Sequence, residues 1–271
     1  MADRGGVPPL QPLALVRGDR TLWMTTNQGH LIALPSDVTG QIDPAKRGIA
    51  LPIAPTTIWA DEDMAVTSDG NRIDAYDLDS EGRPRLLGSL AWPGDGGVVK
   101  DLVVHEGHAW LGGFNGLRVV DLRDPARPLG VYRRPTPPLL ALTLSGDRAY
   151  AVSASSGTQD LKLSILDIAL PTAPRVLGEL DLPPAARALI AVEDGRVAVA
   201  LSGQGLRLID VHLAAFPDEI GWMSLPSDPV DLLFAQGLLW LVDGRAGLVA
   251  VGHGPRTHVR LSLPWLAGAR R

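Results

Sequence analysis

Asp101 and Asp231 are the two residues of this chain with the type and setting for shared chemistry. Each leads a short apolar run, Leu102-Val103-Val104 and Leu232-Leu233-Phe234. Two carboxylates facing each other can hold a hard cation, which prefers oxygen ligands. They can also divide acid and base roles. A good calcium site needs more oxygens than such a pair supplies. The bland alternative is structural: a repeated aspartate hydrogen-bonded to a neighbouring element. Lys100 precedes Asp101, and Arg187 stands near the matching position of a later segment. Either can neutralise a carboxylate, meet an anion or stay a solvated charge. A divalent cation on this pair is the one cofactor these residues suggest, and no other is expected.

Other constellations point to less. His105 and His108 flank Gly107 with H-x-x-H spacing, and a two-histidine turn needs further ligands from elsewhere. Their turn position predicts exposed rings. The chain has no cysteine, which excludes disulfides, thiolate metal sites and cysteine nucleophiles. No G-x-S-x-G elbow is present. The stretches from Ser153 to Gly157 and Ser202 to Gly205 read as hairpin loops. Neither leads into a helix, so neither is a phosphate cradle.

The bulk composition narrows the class. A formal net charge of −5, with no dense Lys/Arg run, argues against a nucleic-acid partner. Met1 to Pro9 lacks the basic-then-apolar profile of a signal peptide. No apolar run reaches the roughly 18 residues of a membrane span. The expectation is a soluble cytoplasmic protein, a monomer or a subunit of an assembly.

What positions these residues is a repeat. Asp77, Asp121, Asp167 and Asp210 end apolar runs at intervals of 44, 46 and 43 residues. Seven positions after each comes a proline: Pro84, Pro128, Pro174 and Pro217. Four further on stand Gly88, Gly178 and Gly221. Six copies follow, at about 11–53, 54–97, 98–137, 138–184, 185–227 and 228–267, with Leu34 and Gly252 in the aspartate column of the end copies. Each copy offers four short strands and no helical periodicity. The fold class is therefore all-β: a single β-propeller domain over 1–271 with six four-stranded blades.

Register then assigns roles. Aligned on the first turn, Pro12, Thr56, Asp101, Leu140, Leu189 and Asp231 share a column near the start of the inner strand. Asp101 and Asp231 belong to copies three and six, which face each other across a six-bladed ring. The candidate ligand-binding residues at the channel mouth are Asp101, Asp231, Lys100 and Thr56. The recurring aspartates should accept hydrogen bonds from the loop they precede. The prolines should set φ before an outer edge strand, and the glycines should mark bulges. Trp23, Trp110, Tyr150 and Trp240 share a second-strand column and should pack blade on blade. Trp92, in a Pro/Gly-rich stretch, is the candidate protein contact.

The run Leu117-Arg118-Val119-Val120-Asp121-Leu122, followed by Asp124-Pro125-Ala126-Arg127-Pro128, resembles the repeat named for its Leu-Val-Ile-Val-Asp core, the LVIVD repeat. Ser164-Ile165-Leu166-Asp167-Ile168 and Arg207-Leu208-Ile209-Asp210-Val211 are similar. The resemblance covers the middle four copies. It implies a bacterial or archaeal β-propeller and no particular activity. Two functional expectations remain. One is a non-catalytic scaffold or recognition module for a protein or a small ligand. The other is an enzyme at the channel mouth: a metal-dependent hydrolase or lactonase, or a cyclase or isomerase of a secondary metabolite.

Overall fold

The computed structural model describes residues 12–17, 21–26, 30–35, 49–50, 55–61, 63–78, 84–92, 97–134, 137–154, 160–184, 186–193, 195–224, 229–235, 238–243, 247–252 and 261–263. Side chains are described only within 55–224 and at Leu232, Phe234, Leu238, Leu239 and Leu241. Every regular element among these residues is a strand, and the strands form six four-stranded antiparallel meanders. Sheet one runs Pro12–Arg17, Thr21–Thr26, His30–Pro35, Ile49–Ala50. Sheet two runs Thr57–Ala60, Met64–Ser68, Arg72–Leu78, Pro84–Ala91. Sheet three runs Val99–His105, His108–Gly113, Gly116–Asp121, Leu129–Arg134. Sheet four runs Leu139–Ser145, Arg148–Ala154, Leu161–Asp167, Arg175–Leu182. Sheet five runs Ala186–Val192, Arg196–Leu201, Gly205–Asp210, Asp218–Met223. Sheet six runs Pro229–Ala235, Leu238–Asp243, Gly247–Gly252, Leu261–Leu263. No helix among the described residues is long and apolar enough to cross a membrane.

The chain divides into two compact units, Met1–Trp110 with Val120–Gly130, and Leu111–Val119 with Val131–Arg271. The division passes through sheet three. In the first unit the inner strand of sheet two lies against those of sheets one and three. In the second, the inner strands of sheets four, five and six stack in order.

The core of the second unit shows why this sequence makes stacked sheets. Both faces of the second strand of sheet five are buried, so it is apolar from Val197 to Leu201 rather than alternating. Val197, Val199 and Leu201 pack with Tyr150, Val152, Leu163 and Ile165 of sheet four. Ala198 and Ala200, on the opposite face, pack with Leu239 and Leu241 of sheet six. Successive side chains of a strand point to opposite faces. One strand thus serves two interfaces, with bulk on one side and alanine on the other. Tyr150 and Trp110 are buried as the second-strand column requires. The side chains of Trp23 and Trp240 lie outside the described residues.

The repeated anchors build one end of sheets two to five. Asp121, Asp167 and Asp210 each accept a hydrogen bond from the backbone N–H two residues on, at 2.9, 3.1 and 2.9 Å. The N–H of the next residue fastens the corner to the turn between the first two strands: Leu122 to the Gly107 oxygen at 2.7 Å, Ile168 to Asp147 at 2.9 Å, Val211 to Gly195 at 2.9 Å. Leu78 does the same to Asp63 at 2.8 Å.

A bulge precedes each glycine. Leu87, Leu177 and Ile220 are extra residues on the outer strand, between Leu86 and Gly88, Val176 and Gly178, and Glu219 and Gly221. The glycines at 88 and 178 have a second reason that spacing alone did not reveal. A Cβ on Gly88 would lie 2.4 Å from the Pro125 oxygen, and one on Gly178 would lie 1.9 Å from the Ala214 oxygen. The corner loop of the next repeat rests directly on that backbone.

Candidate functional site

The opposite end of each sheet, where the inner strand begins, carries the candidate residues. Sheets one, four, five and six all bulge there, at Leu13, Leu140, Arg187 and Val230. Ala14, Ala141, Ala188 and Asp231 follow the bulge, opposite Thr25, Val152, Ala200 and Val242. Counting back from the first turn puts Asp101 in this same column. In sheet two the residue opposite the matching second-strand position, Ser68, is Thr57.

Asp101 and Asp231 therefore share a column, but its other members are Ala14, Thr57, Ala141 and Ala188. Of the expected neighbours, Thr56, Leu140 and Leu189 lie one position off and Pro12 two. The turn glycine does not hold one place: sheet four turns on Gly146-Asp147, while three residues ending in Gly195 separate Val192 from Arg196 in sheet five, so a count from the glycine slips by one in either direction. Thr56 and Lys100 fall in the bulge column with Arg187.

Thr56 is exposed, and its N–H donates to the Ser68 oxygen at 2.9 Å. Its hydroxyl donates to the same oxygen at 3.4 Å. Lys100 is exposed and Asp101 half-buried, and both are engaged with other groups. Asp101 belongs to the first unit and Asp231 to the second. The Asp231 side chain lies outside the described residues.

The histidines differ from expectation. His108 is buried, with Nδ1 2.9 Å from the Glu106 oxygen. His105 is half-buried, and its Nε2 has no hydrogen-bond partner. The two-residue turn explains this. Glu106 and Gly107 both have positive φ, 47° and 70°, which makes a tight hairpin and folds the flanking residues back onto the sheet. No three His, Cys, Asp or Glu side chains among the described residues come together as metal ligands.

Two features escaped sequence reading. The first is Asp74, a carboxylate with no exposed surface. Arg72 Nε donates to its Oδ1, and the Tyr76 hydroxyl donates to its Oδ2 at 3.3 Å. Arg72 also reaches the Ser89 hydroxyl at 2.8 Å. Burial, reinforced by the Asp74 charge, pushes the Tyr76 hydroxyl well above its usual range. A buried charge must be paired and hydrogen-bonded, and this one is. The Asp74/Arg72 spacing of two residues on a strand was the available signal, since i and i+2 share a face.

The second is an apolar surface in the second unit. Phe216 is 79% exposed, Leu213 71% and Trp222 70%. Ile220, Val176 and Leu177 are also exposed. Leu213 and Phe216 belong to the corner loop of sheet five, and Ile220 and Trp222 to the outer strand that follows it. Ala214 and Ala215 rest on Gly178, so Leu213 and Phe216 flank that contact beside Val176 and Leu177. The Phe216 N–H donates to the Leu213 oxygen at 2.8 Å, closing the turn that presents both side chains. Trp92, the expected contact, is half-buried, and its indole N–H donates to the Gly70 oxygen at 2.7 Å.

The corner aspartates are electrostatically settled. Side-chain and backbone hydrogen bonds from Arg123 hold the Asp121 carboxyl down at about 2. The backbone N–H and ring of His212 hold Asp210 below the usual range.

No family model matches this sequence, and no curated protein matches it. Solved structures do. A protein from Lactobacillus plantarum superposes with a TM-score of 0.72 at 15% identity, over 96% of this chain and 86% of that one. Virginiamycin B lyase from Staphylococcus aureus, in a catalytically inactive form with quinupristin, gives 0.68 at 14% identity, over 96% and 86%. BamB from Moraxella catarrhalis gives 0.57 at 14% identity, over 92% and 84%. The structural neighbours are β-propeller proteins, and at such identities the likeness shows the fold alone. The chain has a β-propeller fold.

Proposed function

We propose that the six sheets close into one ring of LVIVD-type blades that works as a non-catalytic recognition module. It holds a protein partner against the outer apolar surface of sheets four and five. The observation that carries this is the exposure of Leu213, Phe216, Ile220 and Trp222 along the corner loop and outer strand of sheet five, with Val176 and Leu177 exposed next to the Gly178 backbone on which that loop rests. Large apolar side chains gathered on a surface, rather than scattered singly, mark interaction sites. Trp and other aromatics supply most hot spots.

The corner loop has the shape for this role. Its ends are tied by Asp210 and the Val211 N–H, so Leu213 and Phe216 are presented on a fixed turn at little entropic cost. The partner's matching surface is apolar, with an aromatic or branched anchor. The test is cross-linking in the native host with wild type and with a Phe216→Asp/Trp222→Ser variant. A partner captured by wild type and lost by the variant, at unchanged melting temperature, supports the proposal. Equal capture by both overturns it.

A second reading, an enzyme at the channel mouth, is favoured by the shared column of Asp101 and Asp231. In a ring of six closed in sequence order those two repeats stand opposite. The pair would then hold a divalent cation for a metal-dependent hydrolase or lactonase, or serve a cyclase or isomerase as acid and base. A stoichiometric divalent ion in elemental analysis, lost from Asp101→Asn/Asp231→Asn, would favour the metal-dependent form. Retention of the cellular role by that double variant removes either form.

A further inference from the structure

Beside sheet four lies a cleft of about 200 Å³ within the second unit. Leu117, Leu139, Ala151 and Leu166 give it an apolar floor. Its polar side chains are Arg134, Ser153, Lys162, Ser164 and Glu179. Three of these already satisfy one another. Lys162 Nζ donates to Glu179 Oε2 at 3.0 Å, and the Ser164 hydroxyl donates to Oε1 at 3.2 Å. Both carboxylate oxygens are engaged, and the Lys162 and Glu179 charges cancel. The Arg134 guanidinium has no hydrogen-bond or ion-pair partner among the described residues. The cleft is left with one net positive charge at its rim and carbon at its floor.

The repeat shows how the cavity arose. Sheet two places Arg72, Asp74 and Ser89 where sheet four has Lys162, Ser164 and Glu179. There the carboxylate sits on the third strand and is buried. In sheet four it has moved to the outer strand. The residue beneath is Ala151, where sheet two has the larger Thr67. The volume filled in sheet two is open in sheet four.

We propose that this cleft binds a small monocarboxylate with an apolar body. The guanidinium fork matches a carboxylate in two parallel hydrogen bonds. At roughly 30 Å³ per water-sized unit, the volume takes about seven heavy atoms, enough for the ligand's apolar body while its carboxylate stays at the Arg134 rim. This site is separate from the outer apolar surface, and neither proposal depends on the other.

The test is calorimetric titration of the full chain with phenylacetate, phenylacetamide and acetate. Saturable phenylacetate binding is expected, with the amide and acetate each at least about tenfold weaker. Arg134→Gln, at an exposed position, should weaken phenylacetate at least about tenfold. Ala154→Phe, which places a ring in the cleft, should abolish binding without touching the charge. No saturable phenylacetate binding up to about 10 mM overturns the proposal. So does equal binding of acid and amide, or unchanged binding by Arg134→Gln.

Discussion

Sheets two and four carry the same repeat and treat its charged positions in opposite ways. In sheet two, Asp74 is sealed from solvent with Arg72 and Tyr76 closing over it. In sheet four, Glu179 stands on the outer strand with Lys162 and leaves a cleft. The corner end of both sheets is nonetheless the same: aspartate, proline, bulge and glycine. The lesson is that one end of the blade is held by backbone contacts that fix residue type. The other end is filled by side chains that can be exchanged for a cavity.

What the two sheets share should cost most to remove. Gly178→Ala is expected to lose about 3 kcal/mol in chemical denaturation, because its Cβ meets backbone that cannot turn aside. Gly88→Ala should lose a similar amount. Gly130→Ala, whose Cβ meets only the Leu90 side chain at 3.8 Å, should change stability by less than about 0.5 kcal/mol. Equal losses at all three would break the distinction between corner contacts and ordinary strand positions.

What the sheets do differently should come next. Asp74→Ala should cost about 2 kcal/mol, since it strands Arg72 and the Tyr76 hydroxyl in a buried site. Glu179→Ala should cost clearly less, as exposed ion pairs contribute little. If denaturation curves show Glu179 to be the costlier loss, the cleft is a structural joint rather than an open site.

The smallest effect is a pH dependence at the corner. Asp121 has its carboxyl lowered from 3.8 to about 2 by Arg123. A depressed carboxylate stabilises the fold above its unfolded value and loses that contribution as pH falls through its folded value. The stability difference between wild type and Asp121→Ala should therefore shrink from about pH 4 to about pH 2. A difference that stays constant across that window removes the Arg123 pairing from the account.

The corner was legible in the sequence because a backbone constraint admits few residue types. A short side chain with an acceptor oxygen takes the N–H two residues on, as Asp121, Asp167 and Asp210 do, and only glycine lets the next loop rest at positions 88 and 178. The inner-strand column was legible in part. Asp231 falls in the column directly after a bulge, while Leu140 and Leu189 fall on either side of it because the turn glycine sits at a different place in each turn. The burial of His108 was missed because a turn position says nothing of what folds over it. Trp222 and Phe216 were missed because an aromatic on an edge strand or in a corner loop looks the same buried or bare. The cleft depends on Ala151 being small, and a small residue carries no signal by itself.

The proposed recognition site is the outer surface of sheets four and five. The most direct measurement is quantitative cross-linking in the native host, comparing wild type, Phe216→Asp/Trp222→Ser and Asp101→Asn/Asp231→Asn at equal abundance. A partner kept by wild type and by the carboxylate variant, and lost by the Phe216/Trp222 variant, is the predicted result. A partner kept by the Phe216/Trp222 variant, with the cellular role lost only in the carboxylate variant, would contradict it.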